Sequence, residues 1–153
     1  MDMGLKGKTA IITASSLGLG KAMAQGLAEE GANVTICARR NAPLETTKNE
    51  IEKLGGQVLS IEADMNSKDD IEKVITETVS KFGKLDILIN NAGDAEVGRK
   101  IEDEDDVWQA MYNICLWSCI RATRAAVPHM RTNSGGNIIN VASVSGHSGL
   151  AGM

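Results

Sequence analysis

The sequence predicts an α/β protein with a doubly wound parallel sheet, and three observations support this fold class. Short apolar runs alternate regularly with helix-like stretches along the 153 residues. The runs are apolar throughout, without polar alternation, which is typical of parallel strands covered on both faces. A turn of small residues over 13–20 joins the first run to the first helix, as strand-to-helix turns do in doubly wound folds.

The predicted elements follow one another without an internal boundary, so we expect one domain over residues 1–153. Strands are predicted over 8–14, 33–38, 57–61, 85–89 and 137–141. Helices are predicted over 18–30, 43–54, 67–83 and 102–131. The last of these is expected to be one long helix with a local break at Pro128. A polar loop is expected over 94–100.

Composition excludes several classes of protein. The net charge is −4 with both signs spread along the chain, which argues against a nucleic-acid partner. No apolar run reaches membrane-spanning length, and residues 1–8 lack a signal core. The odd count of three cysteines indicates reduced thiols and a cytoplasmic protein. Cys115 and Cys119 are interpreted as small buried apolar residues because no histidine lies close in sequence, and we expect no metal site.

The turn over 13–20 is a candidate phosphate-binding site. Backbone N–H groups and the dipole of the following helix favour an anion there. Gly18 would allow close approach of the ligand, and Gly20 close packing of helix on strand. Ala14 stands where such turns often hold glycine, which is tolerable if the position needs no positive φ. The hydroxyls of two serines either donate to phosphate or bond within the turn. The turn residues predicted to contact a cofactor are Thr13, Ser15, Ser16, Leu17, Gly18, Leu19 and Gly20.

The end of the second predicted strand indicates which dinucleotide the protein would bind. NAD-specific sites place a carboxylate roughly 20 residues past the turn, where it bonds the ribose hydroxyls. This sequence has Ala38-Arg39-Arg40 at that place, without a carboxylate. A guanidinium can bind a 2′-phosphate through paired hydrogen bonds, so Arg39 and Arg40 favour NADP over NAD. The alternative is a solvent-exposed arginine pair without a ligand.

Four further features follow in order along the chain. They are Asp64-Met65 after the third strand, Asn90-Asn91-Ala92-Gly93 after the fourth, Asn113 in the long helix and Ser143 after the fifth strand. Together with the turn, this ordered set resembles the short-chain dehydrogenase/reductase family, in particular its 3-oxoacyl-carrier-protein reductase and glucose dehydrogenase-like branch. The resemblance covers essentially the whole chain and implies a Rossmann fold.

The resemblance also implies a role for each motif. Asp64 would accept a hydrogen bond from the adenine amino group with the Met65 backbone alongside; its alternative is a turn carboxylate. Asn90, Ala92 and Gly93 would line the adenosine side of the crevice, while the asparagines tie strand ends together. Ser143 would hold the oxygen of a small carbonyl or alcohol substrate, and Asn113 would orient a water. Members of the family are commonly dimers or tetramers, which implies a homo-oligomer for the intact protein.

The proton-transfer pair of the family, Tyr-x-x-x-Lys, is absent from the sequence. The only tyrosine is Tyr112, and the residue four positions on is Leu116. We expect the pair to fall beyond Met153 and the chain to lack the last strands and the substrate loop of the family. The 153 residues alone would then be inactive, with an apolar patch on the long helix. The alternative is a complete, non-catalytic NADP-binding module or sensor; a coding sequence that continues past Met153 into the motif would argue against it.

Overall fold

A computed structural model describes residues 3–93, 102–133 and 135–148, and the polar loop predicted over 94–100 lies outside them. Five parallel strands form one sheet in the order β3-β2-β1-β4-β5. The strands are β1 Thr9–Ile12, β2 Asn33–Ala38, β3 Val58–Glu62, β4 Ile87–Asn90 and β5 Asn137–Asn140. The helices are α1 Gly18–Glu29, α2 Asn41–Lys53, α3 Lys68–Phe82, α4 Asp105–Tyr112 and α5 Ser118–Thr132. The predicted doubly wound α/β fold is confirmed.

Both faces of the sheet are covered by helices. On one face, Ala10, Ile12, Val34 and Ile36 belong to a buried cluster with residues of α1 and α2. On the other face, Ile11 and Leu88 belong to a cluster with residues of α3 and α5. Successive strand residues therefore enter opposite clusters, and each strand needs apolar residues at every position. This is why the strands appear in the sequence as unbroken apolar runs.

The long helix predicted over 102–131 is wrong as a single regular helix. It begins at Asp105, and a π-helical turn over Asn113–Trp117 separates α4 from α5. The Ser118 N–H donates to the Asn113 carbonyl, one residue further back than in an α-helix. The local break predicted at Pro128 is also wrong, since α5 continues to Thr132. Pro128 is exposed, so water can satisfy the carbonyl that loses its intrahelical donor.

The apolar patch predicted on the long helix is present. No residue of α4 is buried among the described part of the chain. Side chains of Trp108, Tyr112, Leu116 and Trp117 are each at least 40% exposed. The neighbouring edge strand β5 is exposed as well, with Ile139 at 49%. A parallel strand is normally covered on both faces, so this surface is unusually apolar for a monomer.

Asp86 links the starts of β1 and β4, at the end of the sheet opposite the carboxyl ends of the strands, where the motifs lie. Its carboxylate accepts from the Thr9 N–H at 2.9 Å and lies 3.3 Å from the ammonium groups of Lys8 and Lys84. Burial raises the pKa of this carboxyl, but the Thr9 N–H and the two lysines outweigh burial and hold the pKa below its ordinary value. The charged form therefore stabilises the start of β1 and β4.

Within the residues that the structure describes, none of the helices combines the length and the apolar character needed to cross a membrane.

Candidate active site

The turn between β1 and α1 contains a backbone conformation that the sequence analysis did not expect. Ala14 has a φ of +51°, which lies in the left-handed region. Alanine was expected to be tolerable here only if the position needs no positive φ. That condition is not met. A residue with a Cβ pays about 1–2 kcal/mol in this region because Cβ approaches the following carbonyl oxygen. The turn keeps its shape because the surrounding hydrogen bonds fix it.

The two glycines of the turn have different roles. Gly18 has a φ of +57°, and the space where its Cβ would lie is open. A ligand can therefore approach the backbone at this point. A Cβ on Gly20 would lie 2.6 Å from both the Ala14 carbonyl oxygen and the Asn91 side-chain nitrogen. Gly20 is thus required for the close packing of α1 against the turn, as predicted from the sequence.

The Thr13 hydroxyl joins the turn to the segment after β4. It accepts hydrogen bonds of 2.9 Å from the backbone N–H groups of Asn91 and Ala92. The Asn91 side chain donates in return to the carbonyls of Thr13 and Ala14. The carboxyl ends of β1 and β4, on either side of the point where strand order reverses, are therefore locked together. Thr13 is buried and lines neither of the two clefts described below, so its role is to support the site.

The two serines of the turn have different surroundings, and each corresponds to a different one of the two alternatives given for their hydroxyls. The Ser15 hydroxyl is fully buried, donates to the Ile12 carbonyl at 2.6 Å and accepts from the Cys37 N–H at 3.1 Å. It bonds within the fold and does not face a ligand. Ser16 is partly exposed and lines the first cleft described below. The neighbouring Cys37 thiol is inert, because burial raises its pKa to about 12.

The first turn of α1 is suited to an anion. Leu17 precedes the helix and supplies no side-chain cap, and no acidic residue lies in the first turn. By contrast, α3 is capped by the Ser67 hydroxyl, which accepts from the Asp70 N–H, and its first turn contains two aspartates. The N–H groups at the start of α1 therefore lack an internal side-chain acceptor in the described structure.

A first cleft of about 400 Å³ lies at the carboxyl ends of the strands. It brings together the turn, the end of β2, the segment after β3 and the π-helical turn. Most of the residues predicted to contact a cofactor line it. Those residues are Ser16, Leu17, Arg39, Arg40, Asp64, Met65, Ala92 and Gly93.

The two arginines are exposed at the rim of this cleft. Among the side-chain contacts of the described residues, neither Arg39 nor Arg40 has an acidic partner within ion-pair distance. Both guanidinium groups are therefore available to an anionic ligand in the first cleft. This geometry is compatible with both alternatives from the sequence, an exposed pair without a ligand and a pair that binds a 2′-phosphate.

Asp64 is both a turn carboxylate and a residue of the first cleft. One of its oxygens accepts from the backbone and side-chain nitrogens of Asn66, at 2.9 and 3.1 Å. The Asn66 carbonyl accepts from the Arg121 guanidinium at 2.9 Å, and that guanidinium lies 5.7 Å from the Trp117 ring centre. The segment after β3 is thus attached to α5. Asn66 also lines the cleft, although no sequence motif indicated it.

A second, more open cleft of about 960 Å³ adjoins the first at Ala92 and Gly93, which line both. It lies between the segment after β4, the π-helical turn and the end of β5. Leu19, predicted to contact the cofactor, is on this side. The polar residues of its lining are Asn91, Cys115, Cys119, Thr123, Arg124, Asn140 and Ser143.

The structure does not bring the two predicted catalytic residues into one cleft. Asn113 lines the first cleft, where its side-chain oxygen accepts from Gln109 at 3.2 Å, whereas Ser143 lines the second. The residues of the π-helical turn that line the cleft of Ser143 are Cys115 and Leu116, two and three positions later. The Cys115 sulfur lies 4.0 Å from where a Cβ of Gly93 would be. Our interpretation of Cys115 and Cys119 as buried is wrong, since Cys115 is exposed and Cys119 half-buried.

Asn90 joins strand ends, as predicted for the asparagines. Its side-chain nitrogen donates to Asn140 at 2.8 Å and to Thr123 at 3.3 Å. These bonds hold β4, β5 and α5 together beneath the second cleft. The side chain is buried and lines neither cleft, so it supports the walls.

Across residues 3–93, 102–133 and 135–148, no three His, Cys, Asp or Glu side chains come close enough to hold a metal ion. Tyr112 is 56% exposed on α4 and lines neither cleft. Among the described residues, the side-chain hydroxyls that line the second cleft are those of Thr123 and Ser143, and no tyrosine lines it.

Known proteins resemble this chain in sequence. A family model described as short chain dehydrogenase matches residues 8–153. A 3β-hydroxysteroid dehydrogenase of Eggerthella lenta is 36% identical over 144 residues, covering 93% of this chain and 55% of the relative. A 3-oxoacyl-(acyl-carrier-protein) reductase of Thermotoga maritima is 33% identical over 151 residues, covering 99% of this chain and 61% of the relative. The chain spans about half the length of the curated relatives it matches.

Solved structures resemble it in fold as well. A 7α-hydroxysteroid dehydrogenase in complex with NADH and 7-oxo glycochenodeoxycholic acid has a TM-score of 0.93 at 30% identity, covering 97% of this chain and 58% of the other. A short chain dehydrogenase from Mycobacterium smegmatis has a TM-score of 0.91 at 36% identity, covering 97% and 63% respectively.

Proposed function

Because the chain belongs to the short-chain dehydrogenase/reductase family, we propose that it binds NADP across its two clefts and serves hydride transfer to or from a small carbonyl or alcohol compound in the intact protein. Members of this family bind NAD(P). The observation that carries the proposal is the first cleft, where the turn, the arginines and Asp64 meet at the carboxyl ends of the strands.

The choice of NADP rests on charge. The first cleft has two unpaired guanidinium groups after β2, where an NAD site would have a carboxylate. A similar solved structure is described as an NADH complex, so the preference depends on Arg39 and Arg40 of this chain alone. A 2′-phosphate would lie against the guanidinium groups, and the pyrophosphate against the N–H groups at the start of α1.

The residues of the chain would then act as follows. Gly18 allows the pyrophosphate to approach the backbone, and Asp64 accepts from the adenine amino group with the oxygen that Asn66 leaves open. Ser143 donates its hydroxyl to the substrate oxygen in the second cleft. When bound, the dinucleotide supplies or accepts the hydride.

We also propose that these 153 residues do not transfer hydride by themselves. The oxygen of the substrate needs a proton partner as the hydride moves. Tyr112 is followed by Leu116 at the fourth position and does not line the cleft of Ser143. Steady NADPH oxidation by the purified chain with a carbonyl substrate would refute this part of the proposal.

A non-catalytic NADP-binding module is the second candidate function. It is favoured by the first cleft, which is present in these 153 residues, whereas a Tyr-x-x-x-Lys pair is not found among them. The two candidates agree on binding and differ in whether a longer form of the protein turns over substrate.

A titration with NADPH and NADH tests the binding proposal. We expect tighter NADPH binding, and Arg39→Asp should abolish the preference because a carboxylate repels the 2′-phosphate and bonds the ribose hydroxyls. Lys73→Asp is the matched control, since it makes the same charge change at an exposed position of α3 that does not line the first cleft. Equal loss of NADPH binding in both variants would contradict the role of Arg39.

We also propose that the protein is cytoplasmic and that it forms a homo-oligomer when intact. All three cysteines are free thiols, the state expected in the cytoplasm. The exposed aromatic and aliphatic side chains of α4 and the π-helical turn would be covered in a dimer or tetramer of the intact protein.

A further inference from the structure

Two thiols share the wall of the second cleft. Cys115 and Cys119 both line it, one exposed and the other half-buried. The Cys119 thiol donates to the Cys115 carbonyl at 3.4 Å, so its side chain folds back along the helix toward Cys115. Residues four apart lie on the same face of a helix. Here Cys115 lies in the π-helical turn and Cys119 in the first turn of α5, and both line the second cleft, a surface that is open to small molecules.

The spacing of the pair favours a bridging atom over a direct bond between the sulfurs. Residues four apart on a regular α-helix, the geometry that α5 adopts from Ser118 onward, have Cβ atoms about 5–6 Å apart. A disulfide requires Cβ atoms at about 3.5–4.5 Å, and larger separations store strain that makes the bond easy to reduce. A single atom inserted between the sulfurs removes this conflict, because it lengthens the connection by one further bond.

The number of ligands decides which bridging atom fits. A zinc site takes four ligands, of which at least three come from the protein. No such group of three His, Cys, Asp or Glu side chains exists within the part of the chain that the structure describes. A monosubstituted trivalent arsenical needs two thiols only, because its third position is filled by its own organic group.

We propose that Cys115 and Cys119 form a two-thiol binding site for monosubstituted trivalent arsenicals, R–As=O. In the reaction two S–H bonds break and two S–As bonds form, and the oxygen leaves as water with both protons. Arsenic stays trivalent, so neither an oxidant nor a reductant is needed. The organic group of the adduct would project into the second cleft, on the side of Gly93.

The third cysteine of the chain provides an internal control. Cys37 is fully buried in β2, and burial raises the pKa of its thiol to about 12. A thiol reagent therefore has neither access to this sulfur nor a thiolate to attack. The reactive thiols of the folded chain are those of the second cleft.

Incubation of the folded 153-residue chain with phenylarsine oxide, followed by native mass spectrometry, tests the proposal. We expect one adduct per chain that survives excess glutathione and is removed by 2,3-dimercaptopropanol, because only a dithiol competes with two S–As bonds. Cys115→Ser and Cys119→Ser should each abolish the glutathione-resistant adduct, while Cys37→Ser retains it. Circular dichroism of every variant checks that the fold persists.

Three results would overturn the proposal. Glutathione could strip the adduct from the parent as easily as from the single variants, which would show monothiol binding only. Either serine variant could keep a resistant adduct while folded. The resistant adduct could also link two chains, which would place the partner thiol on another molecule. The experiment contains no dinucleotide, so its result is independent of the proposed function.

Discussion

Replacement of Ala14 by glycine should stabilise the fold. Ala14 has a φ of +51°, and a left-handed conformation costs a residue with a Cβ about 1–2 kcal/mol. Glycine removes this cost but loses more chain entropy on folding, by roughly 0.5–1 kcal/mol. The net gain in the free energy of unfolding is therefore about 0.5–1 kcal/mol, equivalent to about 1–4 °C in Tm for a chain of this size.

Urea unfolding at equilibrium, followed by circular dichroism, measures this gain. The matched control is Ala22→Gly, which makes the same chemical change on the exposed side of α1, where φ is helical. It should destabilise by about 1 kcal/mol, since glycine is a poor helix former. The two variants thus shift stability in opposite directions. A loss of stability in Ala14→Gly comparable to that of the control would refute the reasoning from φ.

Three further changes test the supports of the site and of the opposite end of the sheet. Gly20→Ala should lower the free energy of unfolding by at least about 1–3 kcal/mol, because its Cβ would lie 2.6 Å from backbone and side-chain atoms. Gly26→Ala in the same helix has open space and should be neutral or stabilising. Differential scanning calorimetry of both variants measures the difference. Thr13→Val should cost about 2–4 kcal/mol in urea unfolding, since it leaves two backbone N–H groups without their acceptor, and a change within error would contradict its supporting role. The parent should have a higher free energy of unfolding than Asp86→Asn. This difference should be complete above the unfolded-state pKa of about 4 and be lost as pH falls through the lowered pKa of the folded state. A difference that does not change with pH would exclude the ionic contribution of Asp86.

The sequence predicts most of the fold because the local patterns and the tertiary environment agree. Continuous apolar strands such as 33–38 require helices on both faces, and Ser67 and Gly83 mark the ends of α3 by their capping geometry. The arginines after β2 and Asp64 after β3 reach the first cleft because parallel strands end at the same edge of the sheet. For these residues, a place in the sequence directly after a parallel strand is enough to predict a place in the first cleft.

The predictions fail where the backbone departs from ideal geometry. The π-helical turn over Asn113–Trp117 inserts a residue without changing composition or apolar spacing, so periodicity does not reveal it. It rotates the following side chains, and Cys115 rather than Asn113 lines the cleft of Ser143. Ala14 adopts a positive φ because hydrogen bonds from Asn91, 77 residues away, fix the turn. A local pattern does not contain such distant constraints.

Direct titration of the folded 153-residue chain with NADPH and with NADH, by isothermal calorimetry, tests the proposed cofactor site most directly. The geometry of the first cleft predicts saturable binding of one dinucleotide per chain, tighter for NADPH, with the difference removed by Arg39→Asp. Absence of saturable binding of either dinucleotide by the folded chain, or equal affinity of the parent for both, would contradict it.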